Sequence, residues 1–382
     1  MNYLLNWLTY LLIVGMLAAC GGMPRQSSPP TPVTTPAEVR PQAVDGAAVS
    51  GPVRLQARSR WTQVPWSDLP GWQDDPLHEA WNAWLKSCER PGPAFAPLCA
   101  EVRRLSLGNG DAQRDWMMAR LQPYRVDALQ GTTDGLLTGY FEPVLEGMRV
   151  PSAGFNVPLY RLPANLAQRK PWYTRQEIDT QPEVQTLLRG REIAYLANPV
   201  DALVLQIQGS GRVRITEANG TQRLVRVAYA GSNDQPYKSV GRWLLDQGAL
   251  RDASWPSIKA WIAQNPARVN EMLWSNPRVV FFKDEAMTAQ DATLGPRGAQ
   301  GVALTPGRSI AVDPGSIPYG TPVWLASSGP LVKLEKLVLA QDTGSAITGA
   351  VRADYFTGWE AGAAELAGRL KQPLRLWVLW PK

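Results

Sequence analysis

From residue 279 to residue 379 the chain runs as short apolar segments that prolines and glycines keep interrupting, and few folds accept that pattern. Residues 279–282, 303–304, 310–312, 322–325, 337–340 and 374–379 are each of strand length, too short for helices and separated by turn residues. Only 360–370 carries a helical period among them. Short strands with one helix and many Pro-Gly turns predict a small closed β-barrel.

Three aspartates punctuate this region. Asp313 lies in 310–321, Asp342 in 340–349 and Asp354 in 352–356, each at the end of an apolar run or beside a glycine turn. The one histidine, His78, stands far away beside a helical face formed by Leu77, Trp81, Trp84 and Leu85, and reads as a packing or surface residue. Acid or base chemistry therefore falls to carboxylates. Asp313, before Pro314-Gly315, has the setting of a turn cap that binds backbone amides, and Asp342 shares that option. Asp354 stands in no evident turn and adjoins Tyr355 and Phe356, so it is the best candidate for a partly desolvated acid.

Two tempting motifs are set aside. Asp342-Thr343-Gly344-Ser345 matches the catalytic tetrapeptide of aspartic peptidases, but those enzymes need two such aspartates sharing one proton, and this chain has a single Asp-Thr-Gly. Gly209-Ser210-Gly211 has neither the third glycine nor the lysine of a nucleotide loop at the required spacing.

With 382 residues the chain predicts two domains beyond any targeting segment. A net charge of +6 without a basic cluster argues against nucleic acid and is compatible with a polyanionic cell-wall or lipid surface. Sixteen tryptophans exceed ordinary usage; most read as core, and the remainder could stack on sugar rings. Residues 1–20 form an apolar stretch without acids that ends Leu17-Ala18-Ala19-Cys20, the pattern of a lipoprotein signal with Cys20 as the lipidated residue, although Met1-Asn2-Tyr3 lacks the usual Lys or Arg. A membrane-spanning anchor is the competing reading. Gly21 after the cysteine points to the outer membrane and a periplasmic workplace. Residues 21–50 read as a proline-rich disordered tether that, at about 3.1 Å per residue, could reach on the order of 90 Å. Cys88 and Cys99 remain as an even pair in an oxidising compartment. They form either a disulfide, stabilising by roughly 2–3 kcal/mol, or two buried thiols.

Elsewhere, residues 76–85, 111–121, 237–249, 255–264 and 267–273 read as helices, while 134–143, 201–211 and 223–230 read as strands of a small all-β unit. The helical stretch 237–273 could pack on either unit.

Taken together, the three aspartate segments resemble the three-aspartate domain of the membrane-bound lytic murein transglycosylase A (MltA) family. Leu137-Thr138-Gly139-Tyr140-Phe141-Glu142-Pro143, residues 206–211, 227–231, 237–241 and 277–283 are similar to the same family's inserted domain. The resemblance implies a mainly β protein with helices: a double-psi β-barrel built from helical residues 51–137 and barrel residues 276–382, a second β-barrel inserted at 138–275, and a groove for glycan strands between them. It also implies a peptidoglycan lytic exotransglycosylase that cuts the β-1,4 bond between N-acetylmuramic acid and N-acetylglucosamine without water, leaving a 1,6-anhydromuramoyl end. By motif Asp354 becomes the acid/base, with Asp342 and Asp313 in support, and no metal or cofactor is implied. Residue types leave open strand-end or internal cutting and which cell-wall synthesis or division complexes hold the protein. A silent glycan-binding lipoprotein on the same scaffold is the alternative.

The chemistry is consistent with one carboxyl. Ordinary glycosidases use two, but when the nucleophile is the substrate's own C6 hydroxyl a single group can protonate the leaving oxygen and then take the hydroxyl proton. Its pKa must then rise from about 3.9, and burial or a neighbouring carboxylate acts in that direction. For the groove, Thr138, Tyr140, Gln208, Ser210, Gly211, Tyr229 and Gly231 are expected, with Ala346 and Thr348 near the acid; each could equally serve a turn or the core.

Overall fold

The structure, a computed structural model, describes residues 51–382. The expected signal with Cys20 and the tether 21–50 lie outside the described residues. Among those described, no helix is long and apolar enough to cross a membrane.

Strands β1 (Val53–Leu55), β2 (Arg60–Gln63), β3 (Leu121–Asp127) and β4 (Gly135–Tyr140) come first, and β5 (Val144–Met148), β6 (Val157–Tyr160), β7 (Glu192–Leu196), β8 (Ser210–Thr216), β9 (Gln222–Ser232) and β10 (Val280–Ala286) follow. The chain then adds β11 (Ser309–Val312), β12 (Pro322–Ser328), β13 (Lys333–Asp342), β14 (Arg352–Phe356) and β15 (Lys371–Pro381). Six of these close a barrel. β15 pairs antiparallel with β12 and with β4, β12 with β13 and β11 with β14 are antiparallel, and β13 with β11 and β14 with β4 are parallel, so the ladder returns to its first strand. β3, β2 and β1 extend it from β15.

The period of two in these strands divides their side chains between two cores. Ile310, Val312, Val323, Leu325, Val338, Ala353, Tyr355, Leu376 and Val378 fill the barrel. The alternate residues Trp324, Leu337, Leu339, Trp377 and Leu379 face outward and are covered by Leu77, Trp81 and Trp84 of α1 (Leu77–Ser87), Val102 of α2 (Cys99–Leu105) and Met117 of α3 (Gly110–Arg120). Burying a large side chain of this kind contributes roughly 2–3 kcal/mol. Tryptophan is thus chiefly core material here, with Trp61, Trp81, Trp84, Trp172 and Trp324 almost fully buried. Cys88, at the end of α1, is bridged to Cys99 at the start of α2 with their Cα atoms 5.5 Å apart.

The second unit is a six-stranded sheet in the order β10-β9-β8-β5-β7-β6, antiparallel except for β5 with β8. Its edge strands share one core, Leu159 of β6 meeting Val280 and Phe282 of β10. The sheet therefore curls round that core, while β6 and β10 form no ladder with each other among the described residues. Helices α4 (Arg175–Thr180), α5 (Pro182–Leu188) and α6 (Pro199–Gln208) belong to it, and α7 (Val240–Asp246), α8 (Trp255–Gln264) and α9 (Val269–Trp274) pack on Val200 and Leu203 of α6. That settles the side on which the 237–273 stretch lies. α10 (Ala363–Arg369) lies across β4, where a side chain on Gly139 would come within 2.8 Å of Ala367.

Two expectations change. Residues 201–208, read as a strand, are helix: Asn198 caps the first turn through Val200 N–H at 2.8 Å, Pro199 opens it, and Gly209 at φ 80° ends it. An unbroken apolar run lacks the alternation that separates strand from helix. The chain also leaves the first barrel after β4 and re-enters it after β10, because β4 pairs with β14 and β15 while β10 pairs with β9. The crossings at Tyr140 and Ala286 lie later than the expected edges at 137/138 and 275/276. Thr138 and Tyr140 accordingly sit on the first barrel.

Candidate active site

Ala311 is the centre of the site's construction. On one side it pairs with Asp354 of β14, on the other with Asp342 of β13. The second pairing depends on an irregularity between Ile310 and Ala311: Ile310 opposes Ala340, Ala311 opposes Asp342, and Gln341 is skipped. Such a bulge re-aims the side chains that follow it. Gln341 turns towards α1, fully buried, and donates to Ala83 O and Ser87 Oγ, both at 2.8 Å. Asp342 is left on the outer face beside Asp354. Asp354 in turn opposes Thr138 across the parallel β14–β4 pair. A row Asp342, Ala311, Asp354, Thr138 thus crosses four adjacent strands, over a small apolar cluster of Tyr140, Leu304, Ala311, Ile347 and Phe356.

Asp342 is held by three donors. Its Oδ1 accepts from the N–H groups of Ala299 and Thr343, each at 2.9 Å, and its Oδ2 from the Tyr140 hydroxyl at 2.9 Å. These favour the carboxylate, but burial outweighs them and, with the nearby Asp354 charge, pushes the group up to about 6. Asp354 is also raised, first by burial, against the lowering effects of Thr138 and Arg352. Thr138 Oγ1 donates to Asp354 Oδ1 at 2.5 Å and accepts from Arg352 Nη2 at 2.8 Å. Asp354 Oδ2 has no donor among the described residues. Burial raises the Tyr140 hydroxyl well above its ordinary value, so it stays a donor.

Asp313 has a different setting. Its carboxylate accepts from Gly315 N–H at 2.9 Å, Gly349 N–H at 2.8 Å and Arg58 Nη1 at 3.2 Å. It closes its own turn and ties down the end of the loop after β13.

Asp354 opens on a cleft of about 150 Å³ between the two units, lined by Gly344, Ser345, Ala346, Ile347 and Arg352 on one wall and Gln206, Ile207, Tyr237, Asn276, Arg278 and Val280 on the other. A larger hollow of about 940 Å³ lies elsewhere on the barrel and contains Thr348 and Arg352 but none of the three aspartates. The smaller cleft is the candidate site, because Asp354, a carboxyl raised by burial, lines it. Of the expected groove residues, Ala346 lines it, and Thr138 and Tyr140 stand behind the aspartates. Gln208 accepts from Phe141 N–H at 2.9 Å and ties α6 to the chain leaving β4. Ser210 and Gly211 begin β8, and a side chain on Gly211 would collide with Leu205 at 2.3 Å. Tyr229 and Gly231 line a separate hollow with Leu162 and Lys170. The helical form of 199–208 explains part of this difference, since its last turn presents Gln206 and Ile207 to the cleft.

The units are joined beside the site by Glu142, fully buried, which accepts from Arg212 at 2.8 Å and Arg226 at 2.6 Å. The same arginines hold the carbonyls of Ala292 and Leu294 on the returning chain, and Arg212 stacks 4.1 Å from the Trp359 ring. Both crossings are therefore gripped by one buried cluster.

Residues 136–283 match the MltA specific insert domain and residues 308–380 the 3D domain. The membrane-bound lytic murein transglycosylase A of Vibrio cholerae is 32% identical over 75% of this chain and 76% of its own length. The chain belongs to the MltA family. Among solved structures, the lytic transglycosylase LtgG of Burkholderia pseudomallei is 42% identical, over 87% of this chain and 97% of that one, with a TM-score of 0.59. MltA from Neisseria gonorrhoeae is 28% identical over 87% and 96%, with a TM-score of 0.69. In this MltA-family chain Arg352, Ala299, Gln206 and Asn276 also reach the site, none of them among the site residues expected from the sequence. Arg352 precedes Asp354 by two residues and was legible as a same-face neighbour in a strand; the other three come from distant segments that only folding brings to the cleft.

Proposed function

We propose that this chain is a lytic transglycosylase acting on peptidoglycan, cutting the β-1,4 bond between N-acetylmuramic acid and N-acetylglucosamine. The observation that carries the reading is a buried carboxyl at the cleft wall with one oxygen left free. Asp342, behind it, is capped by three donors, whereas Asp354 lines the cleft, has one donor and keeps Oδ2 open to a ligand, so Asp354 is the carboxyl able to pass a proton to a bound sugar. Asp354 gives that proton to the glycosidic oxygen as the C1–O bond breaks. The muramoyl C6 hydroxyl then attacks C1, and its proton passes to the Asp354 carboxylate, which restores the acid and leaves a 1,6-anhydro ring. Asp342, as the anion, stabilises positive charge developing on the sugar. Asp313 acts through the loop it anchors.

The relatives' names carry the term membrane-bound, in keeping with a lipid on Cys20 and a tether that places the enzyme at the periplasmic face of the outer membrane. Digestion of purified sacculi with mass analysis of the products tests the function. Anhydromuramoyl ends are expected; reducing ends carrying added water would indicate a hydrolase, and no release would indicate a binding protein.

A further inference from the structure

The insert-domain wall of the cleft is built around a buried cation that forms no ion pair among the described residues, Asp179 acting on it only from beyond contact. Arg175 is 7% exposed and, among the described residues, has no carboxylate within ion-pair distance. Burial lowers it to about 10, so it is charged at neutral pH. Its partners are three neutral oxygens: Asn276 O at 3.1 Å, Arg278 O at 2.6 Å and the Gln206 side chain at 2.6 Å.

A guanidinium can only donate, so the end of the Gln206 amide that meets it must be the oxygen, and the NH2 end is left for the cleft. Asn276 is fixed in the same sense. Its side-chain oxygen accepts from the backbone N–H groups of Lys238 and Arg278, both at 3.2 Å. Neither amide nitrogen has a partner among the described residues, and neither is sealed from solvent. Both residues line the cleft opposite Asp354, with Arg278 beside them. Two amide donors side by side, whose own oxygens are already engaged, suit a ligand group that can only accept.

Resting on the glycan reading above, we infer that Gln206 and Asn276, oriented by Arg175 and by two backbone amides, bind the acetamido carbonyl of the sugar in this cleft and set its preference for N-acetylated residues. A sugar hydroxyl is a weaker match because it can donate as well as accept. An acetamido oxygen left without these donors, or these donors left dry without an acceptor, costs affinity.

The test compares binding of the β-1,4 hexamers of N-acetylglucosamine and of glucose by calorimetry, in full-length protein carrying Asp354→Asn to prevent turnover. The acetylated hexamer is expected to bind at least about tenfold more tightly. Adding Gln206→Glu keeps an oxygen on Arg175 and gains an ion pair there, but replaces the donor with an acceptor. It is expected to weaken the acetylated hexamer about tenfold, leave the glucose hexamer nearly unchanged and preserve the unfolding temperature. Asn276→Asp, nearly isosteric, should act in the same direction. Equal weakening of both hexamers would mark Gln206 as merely structural, and an unchanged preference would overturn the inference while the glycan reading stood. Failure of the starting protein to bind either hexamer would overturn the glycan reading and this inference with it.

Discussion

Thr138 and Asp354 oppose each other on neighbouring parallel strands, and the threonine hydroxyl, accepting from Arg352, has its one proton free only for Asp354 Oδ1. Oδ1 is thereby committed as an acceptor. On the proposed mechanism the transferable proton therefore sits on Oδ2, the oxygen without a donor among the described residues. The pair would then fix which oxygen of Asp354 meets the substrate, a role that neither residue type declares alone.

Thr138→Val removes a hydrogen bond that favours the ionised form of Asp354. Its pKa should rise further. Because the acid of the proposed mechanism acts protonated, the alkaline limb of kcat/KM against pH should move upward. A limb that stays in place would remove Thr138 from the proton's control.

Asp354→Asn retains the acceptor facing Thr138 and removes the transferable proton. Release of anhydromuramoyl products should fall by about a thousandfold, within the usual range for a lost acid/base, with the unfolding temperature and glycan affinity preserved. Residual turnover above a tenth of normal would place the acid elsewhere.

Asp342→Asn should stabilise the fold at neutral pH while lowering activity. The asparagine oxygen can take the Ala299 and Thr343 amides, and its NH2 can donate to a rotated Tyr140 hydroxyl. The folded-state value of about 6 exceeds the ordinary 3.8, so ionising Asp342 weakens the fold progressively as pH rises from about 4 through 6. The gain from removing it should be absent below about pH 4 and approach about 3 kcal/mol above pH 6 as an upper figure. Denaturant midpoints at pH 4 and pH 7.5 check the sign.

Glu142→Gln leaves Arg212 and Arg226 buried beside a neutral amide. Breaking such a pair costs about 3–5 kcal/mol, and here both chain crossings depend on it. A lowered unfolding midpoint is expected, with new proteolytic cleavage near residues 292–294. A loss below 1 kcal/mol would show that the backbone carbonyls alone hold the arginines.

What could be read in advance was whatever local sequence controls. Short strands from residue 309 onward, helix α8 and the helical face of Leu77, Trp81 and Trp84 follow from periodicity, and Asp354 stood out by its aromatic neighbours. The run at 201–208 did not, because a buried helix and a buried strand share one composition and caps at Asn198 and Gly209 decide between them. Strand β4 looked like part of the insert because it adjoins it in sequence; its partners, β14 and β15, lie more than two hundred residues away.

By itself the sequence determined the strands of the C-terminal third, several helices and the types of acid available, since periodicity, turn residues and motif spacing act over a few positions. Tertiary structure decided how differently the two carboxyls are supported. That depends on a skipped Gln341, on a backbone amide from Ala299 and on Thr138 arriving opposite Asp354, and proton affinity is set by donors and burial in space rather than along the chain.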